Sequence, residues 1–409
     1  MFTQLGLEYP LLKKASNQRS QILGTALVLE LLISVASLPI VLYCINTLFS
    51  GSPDSFGWIA SLLLLFSSLG FVLRFALLGI SDSKNILIID TLGMVIKFVA
   101  GFALVSMGFG AFGIVLSFLL QAIFTAAIAL AVARTTFGFR LSSMQYVKEM
   151  IVDGLVNTPS KFSRMLILSF SVVLLASFGI NTSEVGIFYV AFMVSVIAGG
   201  LASSISFMVI PASSAKKVDL SSTSLRIGLS LIAPLISVLV VAPNYILSLI
   251  GPDYVSADMI LLILSIGILP SCIISNTIAK FNNVENTKKL LVIGLVQLII
   301  FLTVFWLVVP LYGTLGAALS TLIAFIGGCI PSIIWTRTEV LKYILNCCLA
   351  VIAGVASGYA LLLAFDAHPL VAALSSCAIT FMTILVLKNC SVAEIRRMVE
   401  MTIKNDANV

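Results

Sequence analysis

Four charged side chains stand inside long apolar runs of this 409-residue chain: Glu30, Arg74, Asp90 and Lys97. Their types and spacing are the ones that could do chemistry. A charge in a hydrocarbon core costs roughly 2.5–3.5 kcal/mol on insertion scales, so it normally faces a counter-charge or a water-filled cavity. Asp90 and Lys97 are seven residues apart and share one helical face. Two arrangements are open to the set. Arg74 and Lys97 can line a cavity and hold an anionic group, the arginine bidentately. Alternatively, Arg74 pairs with Asp90 and Glu30 with Lys97, which makes a neutral structural lock. Lys161 and Arg164 form a further cationic pair at the start of an apolar run. They either face the mouth of a cavity or anchor the helix end at the membrane surface by snorkelling.

Signatures of bond-making chemistry are absent from the sequence. The single histidine, His368, lies near Asp366 with no second histidine to share a metal. The seven cysteines sit almost entirely in apolar runs and lack metal-ligand spacing. No glycine-rich phosphate loop or nucleophile elbow is present. The reading is a protein that is not an enzyme, with no metal, no cofactor and no nucleic-acid partner.

The elements that must position these charges follow from composition. Hydrophobic residues make up 60% of the chain and charged residues 10%, against roughly 25% charged in a soluble domain. About 20 apolar residues are needed to cross a bilayer as a helix. Twelve spans are predicted, at 22–49, 57–80, 85–107, 110–134, 155–179, 184–210, 224–250, 256–280, 289–310, 312–335, 341–365 and 368–387. The class is all-α integral membrane. Residues 141–153 and 391–403 are amphipathic and read as helices lying on the inner leaflet.

Charge fixes the orientation. With both termini cytoplasmic, 21 of the 23 Lys and Arg fall in inner segments, and the other two are Arg74 and Lys97 inside spans. The outer loops carry Asp54, Asp253 and Asp366 and no basic residue. That is the positive-inside pattern. On the helical rise, Glu30 then lies roughly 12 Å from the cytoplasmic end of its span, Arg74 and Asp90 roughly 8–9 Å, and Lys97 roughly 18 Å.

An internal repeat is visible at an offset of 203 residues. Gly110-Ala111-Phe112-Gly113, between the third and fourth spans, matches Gly313-Thr314-Leu315-Gly316, between the ninth and tenth. Lys13-Lys14 falls on Lys216-Lys217 at the same offset. A duplicated unit in parallel orientation is common in transporters. The second copy holds six spans and the first only four, so a leading helix pair is expected to be missing, and the last two spans lie outside the duplication. The expected domains are a lobe at 1–140, an amphipathic linker at 141–154, a second lobe at 155–335, and two further helices with a cytoplasmic tail at 336–409.

Several segments carry a family resemblance. Gly154 and Pro159 precede the fifth span, Val185 to Ala191 opens the sixth, and Pro211 ends it. Gly251-Pro252-Asp253-Tyr254 opens the eighth, Asn286-Thr287-Lys288 starts the ninth, and Pro310-Leu311-Tyr312-Gly313 joins it to the tenth. In this order and spacing the chain resembles polysaccharide transporters of the multidrug/oligosaccharidyl-lipid/polysaccharide flippase superfamily, relatives of the O-antigen and lipid II flippases. The resemblance implies two pseudo-symmetric lobes around a cavity, the twelve spans matching the third to fourteenth of the longer family form. It further implies a plasma-membrane flippase that carries a polyprenyl-linked oligosaccharide to the outer leaflet by alternating access, alongside glycan polymerase or ligase machinery. Arg74, Lys97, Lys161 and Arg164 would then meet the substrate's anionic head group, with Glu30 and Asp90 as charge partners or ion-coupling groups. Relatives often carry a carboxylate midway along the helix matching the fifth span, where this chain reads Leu168-Ser169-Phe170-Ser171-Val172. Two rival readings stay open: a cation-coupled drug antiporter of the same superfamily, and a truncated, non-transporting membrane protein.

Overall fold

Hydrocarbon carries no water, so a segment that crosses it must close its backbone hydrogen bonds internally, and helices do so. The computed structural model describes residues 19–48, 55–80, 82–136, 171–216, 221–283, 287–336 and 338–387, with Leu11, Asn389 and scattered positions between 147 and 167. Regular structure among these residues is helical. A first compact unit holds α1 (Arg19–Leu48), α2 (Ser55–Gly79), α3 (Ser83–Leu104) and α4 (Gly110–Thr136). A second holds α5 (Ser171–Ser177), α6 (Thr182–Lys216) except its last turn, α7 (Ser221–Val241), α8 (Pro243–Ile250), α9 (Asp258–Asn283), α10 (Thr287–Thr336), α11 (Thr338–Phe365) and α12 (Pro369–Val386).

Nine helical runs among the described residues are long and apolar enough to span a membrane. Two of them, Lys84–Thr135 at 52 residues and Lys288–Thr336 at 49, are more than twice the ~20 residues one crossing needs. Each folds back on itself. In the first, a Cβ at Gly101 would press on Ser117 and one at Gly93 would collide with Thr125, so α3 and α4 run antiparallel. In the second, Gly328 abuts Gln297 and Gly316 abuts Val308, so α10 is a hairpin bent at Gly313. The described residues thus hold eleven helical segments of membrane-spanning length and composition. The predicted span at 155–179 is described in part, with α5 as its regular helix, and the amphipathic stretch at 391–403 lies outside the described residues.

The two bends share a backbone geometry. Gly110 has φ 51° and ψ −132°, and Gly313 has φ 55° and ψ −128°. This is a region that side-chain-bearing residues rarely enter and glycine enters freely. The two glycines that the 203-residue repeat aligns therefore make the same turn.

In the first unit α4 is the central helix, packing against both α2 and α3, while α1 packs on α2. Ala122, Ala126, Ala129 and Ala133 give α4 a buried stripe of small side chains, which lets neighbouring backbones approach closely. Leu73, Leu77, Ile89, Ala129 and Ala133 form the core with Leu23 and Ala26 of α1.

In the second unit α7 plays the central part, packed by α9, α11 and α12. The Tyr359 hydroxyl donates to the Val240 carbonyl at 3.1 Å, and Cys347 approaches the Leu229 carbonyl at 3.6 Å. The predicted span at 224–250 is broken. α7 stops at Val241, and Pro243 begins the short helix α8. Proline has no N–H to continue the ladder and clashes with the carbonyl one turn back, so a helix restarts there more readily than it continues.

The glycine turns can be tested. Gly110→Ala and Gly313→Ala are each expected to destabilise the protein by about 1–3 kcal/mol. Gly186→Ala, where a Cβ meets nothing within 4 Å, is expected to leave stability unchanged or raised. Thermal unfolding of the purified protein in detergent reads the difference; equal melting of all three variants would contradict the turn geometry.

Candidate functional site

Three helices of the first unit converge because small residues line their contacts. A Cβ added to Gly70 of α2 would stand 3.6 Å from the Ala126 backbone, and one added to Gly93 of α3 would meet Thr125 and Gln121. One turn beyond Gly70 comes Arg74, and one turn before Gly93 comes Asp90. Asp82 fixes the start of α3 by accepting the Asn85 N–H at 3.3 Å and the Asn85 side-chain amide at 2.8 Å. The close approach brings the two charges together: Arg74 Nη2 donates to Asp90 Oδ2 at 2.7 Å.

This pair borders a cavity of about 490 Å³, which Ser67, Phe118, Gln121 and Thr125 also line. The side chains of Arg74 and Asp90 remain 43% and 35% exposed, so the pair keeps donors and acceptors open toward the cavity. Arg74 Nε–H, by contrast, is buried and meets no acceptor among the described residues. A second cavity of about 370 Å³ lies along the same helix pair, lined by Lys97, Phe98, Phe102, Ile114, Ser117 and Phe118 among others. The Lys97 ammonium stands 4.9 Å from the Phe118 ring centroid and 5.3 Å from that of Phe98. Cation–π contacts of this kind contribute about 0.5–2 kcal/mol.

The structure does not join Glu30 to Lys97. Among the described residues no carboxylate stands at ion-pair distance from the Lys97 ammonium. Glu30 is fully buried in α1. It sits one turn before Ser34, whose hydroxyl bonds that of Ser68 in α2 at 2.7 Å, and so lies on the α1 face that packs on α2. Lys161 and Arg164 fall outside the described residues.

Residues outside the predicted charge set complete the site. Phe118 borders both cavities, yet in the sequence it is one phenylalanine in an apolar run and nothing singles it out. Gln121, a polar residue within the fourth predicted span, lines the larger cavity. Asn346 does bridge segments, donating to Asn389 Oδ1 at 2.9 Å. Asn276 Nδ2 and both polar atoms of the Gln297 side chain are buried without a hydrogen-bond partner among the described residues. His368, given no role by the sequence, caps α12 by accepting the Leu370 N–H at 3.2 Å, and its ring packs edge-on to Tyr245.

Residues 1–257 match the profile of a family described as "Polysaccharide biosynthesis protein". A search of curated protein sequences returns no match. Among solved structures, the lipid II flippase MurJ in an inward closed conformation aligns with a TM-score of 0.64 at 18% identity, covering 94% of this chain and 88% of that one. An outward-facing multidrug resistance MATE family transporter of the MOP superfamily aligns with a TM-score of 0.64 at 17% identity, covering 84% of each chain. A MOP superfamily transporter from Pyrococcus furiosus, whose binding pocket is described as reversed in polarity, aligns at 0.62 and 17% identity, again over 84% of each. At such identities the likeness establishes the fold: that of the MurJ and MATE transporters.

The ion pair carries a test of its own. Asp90→Asn leaves Arg74 without its counter-charge and is expected to lower the melting temperature more than the double variant Arg74→Gln/Asp90→Asn. Because both side chains are partly exposed, the cost should fall well below the ~3–5 kcal/mol of fully buried pairs. A double variant less stable than the single one would contradict the pairing.

Proposed function

The chain belongs to the polysaccharide biosynthesis protein family, and from that premise we propose that it is a flippase for a polyprenyl-linked oligosaccharide. The observation that carries this reading is the cavity at Arg74 and Asp90: charged and hydrogen-bonding side chains opening into space inside a membrane-spanning helix unit. A sugar head group cannot cross hydrocarbon unaided, because each hydroxyl would lose its hydrogen bonds to water. A cavity with donors and acceptors replaces those bonds during passage.

The step is transport by alternating access, and no covalent bond changes. Arg74, Lys97 and, at the start of the fifth predicted span, Lys161 and Arg164 receive the head group, sugar and phosphate together. Asp90 holds Arg74 in place. In this reading the protein works in the plasma membrane with both termini cytoplasmic, as the one-sided distribution of Lys and Arg supports. It hands its substrate to glycan polymerase or ligase machinery on the outer face. A cation-coupled drug antiporter would need a carboxylate free to exchange ions, whereas the Asp90 carboxylate engages Arg74 at 2.7 Å.

Reconstitution decides between them. In liposomes loaded with a fluorescent lipid-linked oligosaccharide, the wild-type protein is expected to bring inner-leaflet head groups within reach of an external, membrane-impermeant glycosidase. Arg74→Ala and Lys97→Ala are expected to slow this at least tenfold, roughly the worth of one charge-assisted hydrogen bond. Drug efflux driven by a sodium or proton gradient, with no movement of the oligosaccharide, would overturn the proposal.

A further inference from the structure

The two cavities of the first unit differ in chemistry and meet at one side chain. Phe118 lines both. On one side of it, Arg74 is already neutralised by Asp90 at 2.7 Å, and Ser67, Gln121 and Thr125 add further polar atoms. That chamber carries no net charge but mixes donors and acceptors. On the other side stands Lys97, with no carboxylate at ion-pair distance among the described residues, in walls supplied by Phe98, Phe102, Val105 and Ile114. That chamber is an open groove, Phe98 and Phe102 being 70% and 81% exposed, and it is apolar but for one cation and the Ser117 hydroxyl.

We propose that the chambers divide one amphiphile between them: Lys97 holds the phosphate where it joins the hydrocarbon chain, and the Arg74–Asp90 chamber holds the first sugar. This rests on the flippase reading and assigns each part of its substrate a place. A neutral ion pair is a poor partner for a diphosphate, since Asp90 repels it as Arg74 attracts it. The same pair suits sugar hydroxyls, which both donate and accept. The Lys97 ammonium, held by ring faces worth about 0.5–2 kcal/mol, can exchange them for phosphate oxygens, whose charge-assisted hydrogen bonds are stronger. Apolar walls around that ammonium match the isoprene units next to the phosphate and exclude a free sugar chain. Asp90 and Lys97 lie on one face of α3 about 10 Å apart along its axis, roughly the span of a sugar joined to a diphosphate. The order of the substrate, hydrocarbon then phosphate then sugar, is thus the order of the chambers. Phe118, at their junction, offers a ring face to the sugar's C–H surface.

Two probes separate the chambers: a short polyprenyl diphosphate without sugar, and an uncharged alkyl glycoside. Both are titrated against the full-length protein in lipid nanodiscs. Lys97→Gln is expected to weaken the diphosphate by roughly 10- to 100-fold and spare the glycoside. Lys97→Arg should restore diphosphate binding. Arg74→Gln/Asp90→Asn should abolish glycoside binding and keep that of the diphosphate. Should the variants fail to fold, a wild-type measurement serves. A diphosphate carrying a photoreactive first isoprene unit is expected to label Phe98, Phe102 or Ile114. Labelling in α2 between Ala60 and Phe71 would overturn the assignment. So would equal loss of the diphosphate in Lys97→Gln and in the double variant. A wild-type protein that binds neither probe would overturn both the division and the flippase reading. If the probes divide as expected but liposomes show no head-group movement, the flippase reading falls and the two-chamber amphiphile site stands.

Discussion

Hydrocarbon neither solvates a charge nor supplies a hydrogen bond, so every ion within a membrane-spanning helix has to be answered by something the protein or its cavity provides. The first unit answers its ions in three ways. Arg74 meets Asp90 at 2.7 Å, Lys97 meets the faces of Phe98 and Phe118, and Glu30 is taken out of contact with the surroundings altogether. The first two leave polar atoms facing a cavity; the third does not. That difference separates the groups that can meet a solute from the one that is buried away from it. All three depend on how closely the helices approach, and therefore on Gly70, Gly93, Gly101 and the alanine stripe of α4. A larger side chain at Gly93, where a Cβ would collide with Thr125, would disturb the packing of α3 that places Asp90 beside Arg74.

Much of the architecture was legible because its causes are local in sequence. Apolar length reveals a span without reference to any partner. Gly110 and Gly313 were recognisable as equivalent because a backbone turn with positive φ demands glycine, and the demand survives when the surrounding residues change. The break at Ala242 was just as local, since Pro243 stands in plain view, but the apolar run continues through it and hydropathy alone masks the interruption. The identity of the four membrane charges was legible for the same reason as the spans: an ion in an apolar run is conspicuous.

Partnership was less legible, because it depends on which faces meet. Arg74 and Asp90 are 16 residues apart on helices joined by a tight turn, so their pairing can be inferred from the connection. Lys97 lies two turns further along α3, where it meets the rings of Phe98 and Phe118 and, among the described residues, no carboxylate at ion-pair distance. No sequence pattern marks Phe118 among the 26 phenylalanines of the chain, nor Gln121 as a cavity residue rather than a bridge. The integration of α11 and α12 is likewise a matter of packing. They lie beyond the duplicated segment in sequence, yet with α9 they enclose α7, the central helix of the second unit.

The central claim is that the Arg74–Asp90 pair opens into a hydrated hollow and not toward acyl chains. Ser67 tests it most directly, since it lines the same cavity and is small enough to replace without disturbing the pair. In a background with the seven native cysteines removed, Ser67→Cys is expected to react with a small, charged, water-soluble thiol reagent in intact membranes. A lipid-linked oligosaccharide is expected to slow that reaction. A cysteine there that ignores the charged reagent and reacts only with a membrane-partitioning maleimide would place the pair against lipid and contradict the account.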